Sequence, residues 1–198
     1  MSRNFLYVLL VVVAIAAGFG AYRLGAALRP APELAGTALQ TPVAVRGLEL
    51  LDGSGDAIDL ADDFAGELTL VFFGYTRCPD VCPLTLAQLG RIYEEAETPD
   101  DVNVVMVSVD PAYDTPAVIG AYVKRFHPDF IGLTGTNQQV ASAAKTFFVG
   151  YAGVASRSEL AHTDVVAVVD REGMLRRIYS TGDVPKLALD LAQLRDSL

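Results

Sequence analysis

Both cysteines of this 198-residue chain lie in one short stretch, GYTRCPDVCP, at residues 74–83. Cys78 and Cys82 are separated by three residues, and each is followed by a proline. In a helical or turned segment their Cα atoms would lie about 6 Å apart, a distance that a disulfide tolerates. A thiol at a helix N-terminus also has a lowered pKa, because the helix dipole favours the thiolate. The spacing therefore indicates a redox-active pair, a metal-binding pair, or a pair that does both.

The donor atoms of the chain restrict which metal this pair could hold. A structural zinc site takes four ligands, and the chain has no third cysteine, so zinc sites built from three or four cysteines of one chain are excluded. Two soft thiolates with one imidazole suit copper, as Cu(I) or as Cu(II) with a further weak ligand. The third ligand would then be one of the two histidines, His127 or His162.

The two histidines differ in their sequence context. His127 lies in RFHPDF, at the end of a predicted helix, where a cation stabilises the helix C-terminus, and we interpret it as structural. His162 lies at the start of an apolar strand, in ELAHTDVVAVVD, and its residues alone leave a ligand and an ordinary packing histidine both open. Met106 and Met174 are predicted to be packing residues in a strand and a hairpin. Asp80, between the cysteines, is predicted to cap the following helix, or to be an outer group that tunes a metal.

The elements that must position these residues alternate between strand and helix. The apolar run LTLVFF at 68–73 is typical of a strand buried on both faces, and helical periodicity begins at Pro83. Further strands are predicted at 102–109, 130–133, 165–169 and 175–179, with helices at 115–126, 137–148 and 186–194. This pattern predicts an α/β fold, a layered sheet with flanking helices. Such sheets bind ligands beyond the carboxyl ends of their strands, which is where the cysteine stretch lies.

Charge and hydropathy exclude some functions and predict a membrane segment. The net charge of −9, with no basic run longer than a pair, argues against nucleic acid binding. Acidic residues between Asp52 and Asp63 form either a solvated loop face or a docking patch for a basic partner. Residues 5–22 carry no charge and would span about 27 Å as a helix, so residues 1–23 are predicted to be an uncleaved transmembrane signal anchor rather than a cleaved signal. An Ala/Pro/Gly-rich flexible linker is predicted at 24–41, followed by one domain at 42–198.

Three segments of the chain resemble the Sco/SenC family of thioredoxin-like, membrane-anchored copper proteins. They are FFGYTRCPDVCPLTL (72–86), VSVDPAYDTPAVIGAYVKRFHPDFIGLTGT (107–136) and AHTDVVAVVDREG (161–173). The resemblance covers roughly residue 42 to the C-terminus, together with the anchor. It implies a thioredoxin-like fold and one copper, as Cu(I) and/or Cu(II), held by Cys78, Cys82 and His162.

The resemblance also implies a partner and a location. Proteins similar to this one help to assemble the CuA centre of cytochrome c oxidase, as copper donors, as reductants of the oxidase cysteines, or as both. The expected partner is the CuA-bearing subunit, with another periplasmic copper donor or thiol reductant as a further partner. The domain is therefore expected on the periplasmic side of the cell inner membrane. The N-terminus lacks the Arg/Ser-rich character of a mitochondrial transit peptide.

The chain departs from the family pattern beside the predicted histidine ligand. The family commonly has an Asp directly before this histidine, where this chain has Ala161, and Asp164 follows two residues after it. A carboxylate before the histidine could steer the ring through a hydrogen bond. The departure bears on the tuning of the site, whereas the ligand set is unaffected.

Four functions can be weighed against these residues. A copper metallochaperone uses all three ligands. A thiol–disulfide oxidoreductase would use Cys78 and Cys82 as its redox pair, but a typical thioredoxin-type reductase has a cis-proline facing its cysteines, and no proline lies between Pro128 and Pro185. A peroxiredoxin-like peroxidase would leave Cys82 and His162 unexplained, and a structural adaptor would need none of the three. The sequence favours copper, and copper binding is compatible with thiol chemistry because both need the reduced pair.

Overall fold

The computed structural model describes residues 3–27, 33–95, 101–150 and 163–198, and the chain divides into two compact units, residues 1–33 and 34–198. The first unit contains one helix, α1 (Arg3–Ala27). Within these described ranges, no helix combines the length and the hydropathy that crossing a membrane requires. The transmembrane character predicted for residues 1–23 is therefore not confirmed.

The second unit alternates strands and helices as the sequence predicts. Its strands are β1 (Thr37–Ala44), β2 (Glu49–Leu51), β3 (Ala57–Asp59), β4 (Leu68–Gly74), β5 (Val102–Ser108), β6 (Ile131–Leu133), β7 (Val165–Val169) and β8 (Met174–Ser180). Its helices are α2 (Val81–Glu95), α3 (Pro116–Val123), α4 (Asn137–Thr146) and α5 (Val184–Ser197), and a short 3₁₀ helix (Thr181–Asp183) precedes α5. The predicted α/β fold is confirmed, with element ends that differ from the predicted ones by a few residues.

Six strands form the main sheet, in the order β1-β8-β7-β4-β5-β6. The β4–β5 and β5–β6 pairs are parallel, whereas β7 runs antiparallel to both β4 and β8. Every residue of β4 is buried, because this strand has neighbours on both sides and helices cover the sheet. The carboxyl end of β4 therefore lies between the ends of its neighbours β7 and β5. It leads directly into the cysteine stretch.

The predicted linker at 24–41 is too long at both ends. Helix α1 continues to Ala27, and strand β1 begins at Thr37 and pairs antiparallel with β8. The Arg177 guanidinium donates to the Gly36 carbonyl oxygen and holds the start of this strand against β8. Most side chains of β1 are exposed or half-buried. An edge strand of this kind has no clear apolar alternation, and the sequence pattern consequently missed it.

The acidic residues after β2 make local hydrogen bonds. The Asp52 carboxylate accepts the backbone N–H groups of Ser54 (2.8 Å) and Asp56 (3.0 Å). The Asp59 carboxylate accepts those of Ala61 (2.8 Å) and Gly47 (2.6 Å). These contacts are typical of Asp in turns, and they agree with the predicted loop face. The alternative role as a docking patch stays a prediction.

Candidate metal centre

The stretch between β4 and α2 folds into a turn that places both cysteines at the start of a helix. The Cys78 N–H donates to the Tyr75 carbonyl oxygen (3.2 Å), and the Leu84 N–H donates to the Asp80 carbonyl oxygen (3.3 Å). Helix α2 begins at Val81, two residues before the predicted start, so Cys82 lies in its first turn. Asp80 is exposed directly before the helix, a position typical of a cap.

Cys78 and Cys82 do not form a disulfide. The backbone N–H of Cys82 donates to the Cys78 sulfur over 3.4 Å. This contact places the Cys78 sulfur at the backbone N–H groups of the first turn of α2. Cys78 is half-buried and Cys82 is completely buried. The pair thus has one sulfur open to a partner and one inside the domain.

The Cys82 sulfur packs against the end of β4. A Cβ placed at Gly74 would lie 2.8 Å from the Cys82 sulfur, 2.9 Å from Phe72 Cε1 and 3.1 Å from Met106 Cε. Met106 is buried in β5, which confirms its predicted packing role. Burial raises the pKa of the Cys82 thiol, a hydrogen bond with Cys78 and the charge of the Asp164 carboxylate raise it further, and a backbone hydrogen bond with Tyr75 lowers it.

The first prediction tests this packing. Replacing Gly74 with alanine should lower the free energy of unfolding by about 1–3 kcal/mol, because the added methyl overlaps a sulfur and two core side chains. Urea denaturation measures the change. Gly182→Ala is the matched control, since its nearest neighbour would be Ser180 Oγ at 3.8 Å, an ordinary contact. Equal stability of the two variants would contradict the crowding at Gly74.

A buried carboxylate holds the start of the cysteine stretch. Asp114 is fully buried after β5, and it accepts hydrogen bonds from the Thr76 N–H (3.0 Å), the Thr76 hydroxyl and the Ser108 hydroxyl (2.5 Å). Next to it, the Arg77 guanidinium donates to Asp110 (2.5 Å) and stacks on the Tyr113 ring at 4.1 Å. The segment after β5 therefore anchors Thr76 and Arg77, the two residues that precede Cys78.

Tyr122 of α3 is a further residue close to the cysteines. Its ring is buried, and its hydroxyl has no hydrogen-bond partner within the described ranges. Burial raises the pKa of Tyr122 to about 12, and the two cysteines contribute in the same direction. The residue-by-residue reading of the sequence singled out neither Tyr122 nor Asp114. Both residues lie in the segment VSVDPAYDTPAVIGAYVKRF, which carries part of the family resemblance. That resemblance is the sequence feature that could have identified them.

The structure describes one of the two histidines, His127. The His127 ring contacts the rings of Tyr93 (centroid distance 4.6 Å) and Phe130 (5.4 Å), and its Nδ1 accepts the Asp129 N–H (3.2 Å). These contacts agree with a structural role. His162 lies outside the described residues. Among the residues that the structure describes, no three His, Cys, Asp or Glu side chains cluster closely enough to hold a metal ion. The complete ligand set consequently stays a prediction.

The sheet order and the reduced cysteine pair at the start of the helix after β4 define a thioredoxin-like α/β protein with a CxxxC site. The family model for SCO1/SenC matches residues 38–194. The chain belongs to the SCO1/SenC family.

Several known proteins are similar to this chain. A SCO2-like protein of Rickettsia felis is 34% identical over 188 residues, which cover 90% of this chain and 91% of the relative. The structure of apo Sco1 from Thermus thermophilus is 39% identical, with a TM-score of 0.70 and coverage of 82% of this chain and 96% of Sco1. The structure of Bradyrhizobium japonicum ScoI with copper bound has 31% sequence identity to this chain and a TM-score of 0.67. The match covers 80% of this chain and 98% of ScoI.

A more distant likeness supports the fold alone. BsSco, described as a member of the Sco family of cytochrome c oxidase assembly proteins, is 20% identical, with a TM-score of 0.61 and coverage of 81% of this chain and 99% of BsSco. The sheet and its helices are thus retained across the family at low sequence identity.

Proposed function

We propose that this protein is a copper metallochaperone that binds one copper ion through Cys78, Cys82 and His162 and helps to assemble the CuA centre of cytochrome c oxidase. The observation that carries the proposal is the pair of cysteines at the start of α2, which no disulfide joins, with the Cys78 sulfur 3.4 Å from the Cys82 backbone nitrogen. Membership of the SCO1/SenC family supports it, as does the copper bound to the similar ScoI protein.

The described residues fit a copper ion better than a harder metal. Two sulfur ligands, one of them half-exposed, are soft donors on an open-sided site. A site that must release its cargo needs such an open side, because the receiving thiolates or imidazoles must reach the metal before the donor ligands leave. Cys78, the more exposed of the two, is the group through which we expect the exchange to begin.

The position of β7 supports His162 as the third ligand. The Asp164 carbonyl oxygen accepts the Thr181 N–H (3.2 Å), so β7 continues as extended chain to that residue. The neighbouring strand β4 ends at Gly74, against the Cys82 sulfur. His162 precedes Asp164 by two residues in the sequence. This short separation from β7, the neighbour of β4, supports His162 as the third ligand.

The partner and location follow from the same proposal. The receiver would be the CuA-bearing subunit of cytochrome c oxidase, with a further periplasmic copper donor or thiol reductant acting upstream. The N-terminal segment would anchor the chain in the inner membrane, with the second unit in the periplasm. The uncharged run at residues 5–22 supports the anchor.

A second candidate function is thiol–disulfide exchange on the oxidase cysteines. No disulfide joins the two cysteines, and the Cys78 sulfur accepts the Cys82 backbone N–H at the start of α2. In this reaction the Cys78 thiolate would attack a partner disulfide, and Cys82 would then displace the partner thiol. The Cys78–Cys82 pair would end oxidised and the partner would end as a dithiol, a balanced two-electron exchange.

Copper titration of single-histidine variants tests the metallochaperone. We expect the reduced chain to bind one copper ion and His162→Ala to lose more than ~100-fold in affinity, because it loses a direct ligand while outer groups cost about 10–100-fold. His127→Ala is the matched control, since its ring packs against Tyr93 and Phe130. It should keep copper affinity while losing thermal stability.

Two results would contradict the proposal. If His162→Ala keeps the affinity of the parent chain, the three-ligand site is wrong. If that variant also reduces an oxidase CuA peptide disulfide at the parent rate, the thiol–disulfide candidate takes its place.

A further inference from the structure

The structure assigns Asp164 to the copper site, where we propose that its carboxylate biases the site toward Cu(II) over Cu(I). The inference rests on the proposed copper function and adds a residue to it. It concerns the selectivity of the site between two oxidation states, which the three proposed ligands alone do not determine. Asp164 is not one of those ligands, and it directly precedes β7, the strand that pairs with β4.

The strand register places Asp164 beside the Cys82 sulfur. In the antiparallel β4–β7 pair, Val71 lies opposite Ala167 and Phe72 lies opposite Val166. The same register continued by two residues puts Asp164 opposite Gly74. The hydrogen bond from Thr181 N–H to the Asp164 carbonyl oxygen shows that the chain stays paired with its other neighbour at this residue.

The side chain of Asp164 lies on the same face as Cys82. Residues directly opposite each other in an antiparallel pair project from one face, with Cβ atoms about 4.5–5.5 Å apart. At Gly74 that direction leads to the Cys82 sulfur, only 2.8 Å from where a Cβ would be. Electrostatic interaction between the Asp164 carboxylate and Cys82 agrees with this placement.

A carboxylate at this place changes the charge balance of a bound copper ion. Two thiolates and an imidazole neutralise Cu(II), whereas with Cu(I) the same ligands leave one net negative charge. A further negative charge beside Cys82 therefore disfavours the reduced ion more than the oxidised one. Asp164 is half-buried, so water screens its charge only in part.

The experiment compares copper affinities in the two oxidation states. The full chain, Asp164→Asn and Asp164→Val are titrated with Cu(I) and Cu(II) against competing chelators of known affinity. An equilibrium redox titration follows the thiolate-to-Cu(II) charge-transfer absorption. Asp196→Asn is the matched control, because Asp196 is exposed and follows Arg195, whose guanidinium contacts Asp101 at the opposite end of the sheet.

We expect both Asp164 variants to lower the ratio of Cu(II) affinity to Cu(I) affinity about 10–100-fold, the range of outer-group effects on metal sites. Each tenfold decrease in this affinity ratio raises the Cu(II)/Cu(I) midpoint potential by about 59 mV. The control should leave the ratio unchanged. Thermal melting of the apo forms establishes that the variants are folded, and the valine variant suits a strand position if the asparagine variant is unstable.

The possible failures are distinguishable. If the parent chain and both variants bind copper with the same ratio of Cu(II) affinity to Cu(I) affinity, the assignment of Asp164 is overturned and the proposed function stands. If the parent chain binds no copper in either oxidation state, both fail together. An equal loss of Cu(I) and Cu(II) affinity in the variants would show a structural role, and it too overturns the assignment.

Discussion

Replacing Cys78 or Cys82 with alanine is expected to lower the copper affinity of the reduced chain by more than ~100-fold, exceeding the ~10–100-fold effect of outer groups. Each variant leaves one sulfur ligand where the proposed site has two. The described residues include no third cysteine that could replace the lost one. Competitive titration with a Cu(I) chelator measures the loss. Retention of parent affinity in either variant would contradict a site that uses both sulfurs.

Serine variants of the same residues separate copper binding from stability. Cys82 is completely buried, so Cys82→Ser places a hydroxyl in an apolar site and should cost roughly 1–3 kcal/mol in the free energy of unfolding. Cys78 is half-buried, and Cys78→Ser should change stability much less. Both should lose copper alike. Urea denaturation of the apo forms gives the comparison, and equal stability losses would contradict the different burial of the two thiols.

The second large effect is expected at Asp114. Replacing it with alanine should destabilise the domain by about 3–5 kcal/mol, because the Thr76 N–H and the hydroxyls of Thr76 and Ser108 all lose their acceptor. An unsatisfied buried donor costs about 1–3 kcal/mol, and the carboxylate is fully enclosed. Chemical denaturation measures the change.

The same substitution should weaken copper binding without removing a ligand. Thr76 lies two residues before Cys78, so loosening Thr76 lets the sulfur move away from the start of α2. We expect a loss of about 10–100-fold in copper affinity, as for other groups that orient ligands. Asp129→Asn is the control, since that carboxylate is exposed (61%). If Asp114→Ala is as stable as this control, the hydrogen bonds at Asp114 do not hold the cysteine stretch.

The sequence predicted the central strands well and the edge strand poorly. The continuous apolar runs of β4 and β5 required burial on both faces, and the structure confirms both strands. The predicted linker at 24–41 overlaps the first five residues of β1 (Thr37–Ala44), whose side chains are mostly exposed and whose pairing with β8 depends on backbone hydrogen bonds. Such bonds form between any extended segments, so no pattern of side chains reports them.

The cysteine spacing, the count of two histidines and the family motifs were enough to indicate a copper protein, since ligand identity is a property of residue types. Tertiary structure alone decided which groups surround the two cysteines. It buried Cys82 against Gly74, fixed Thr76 through Asp114, and paired Phe72 of β4 with Val166 of β7. The partners in these contacts come from segments far apart in the chain. Their approach depends on strand register and helix packing, which local sequence does not encode.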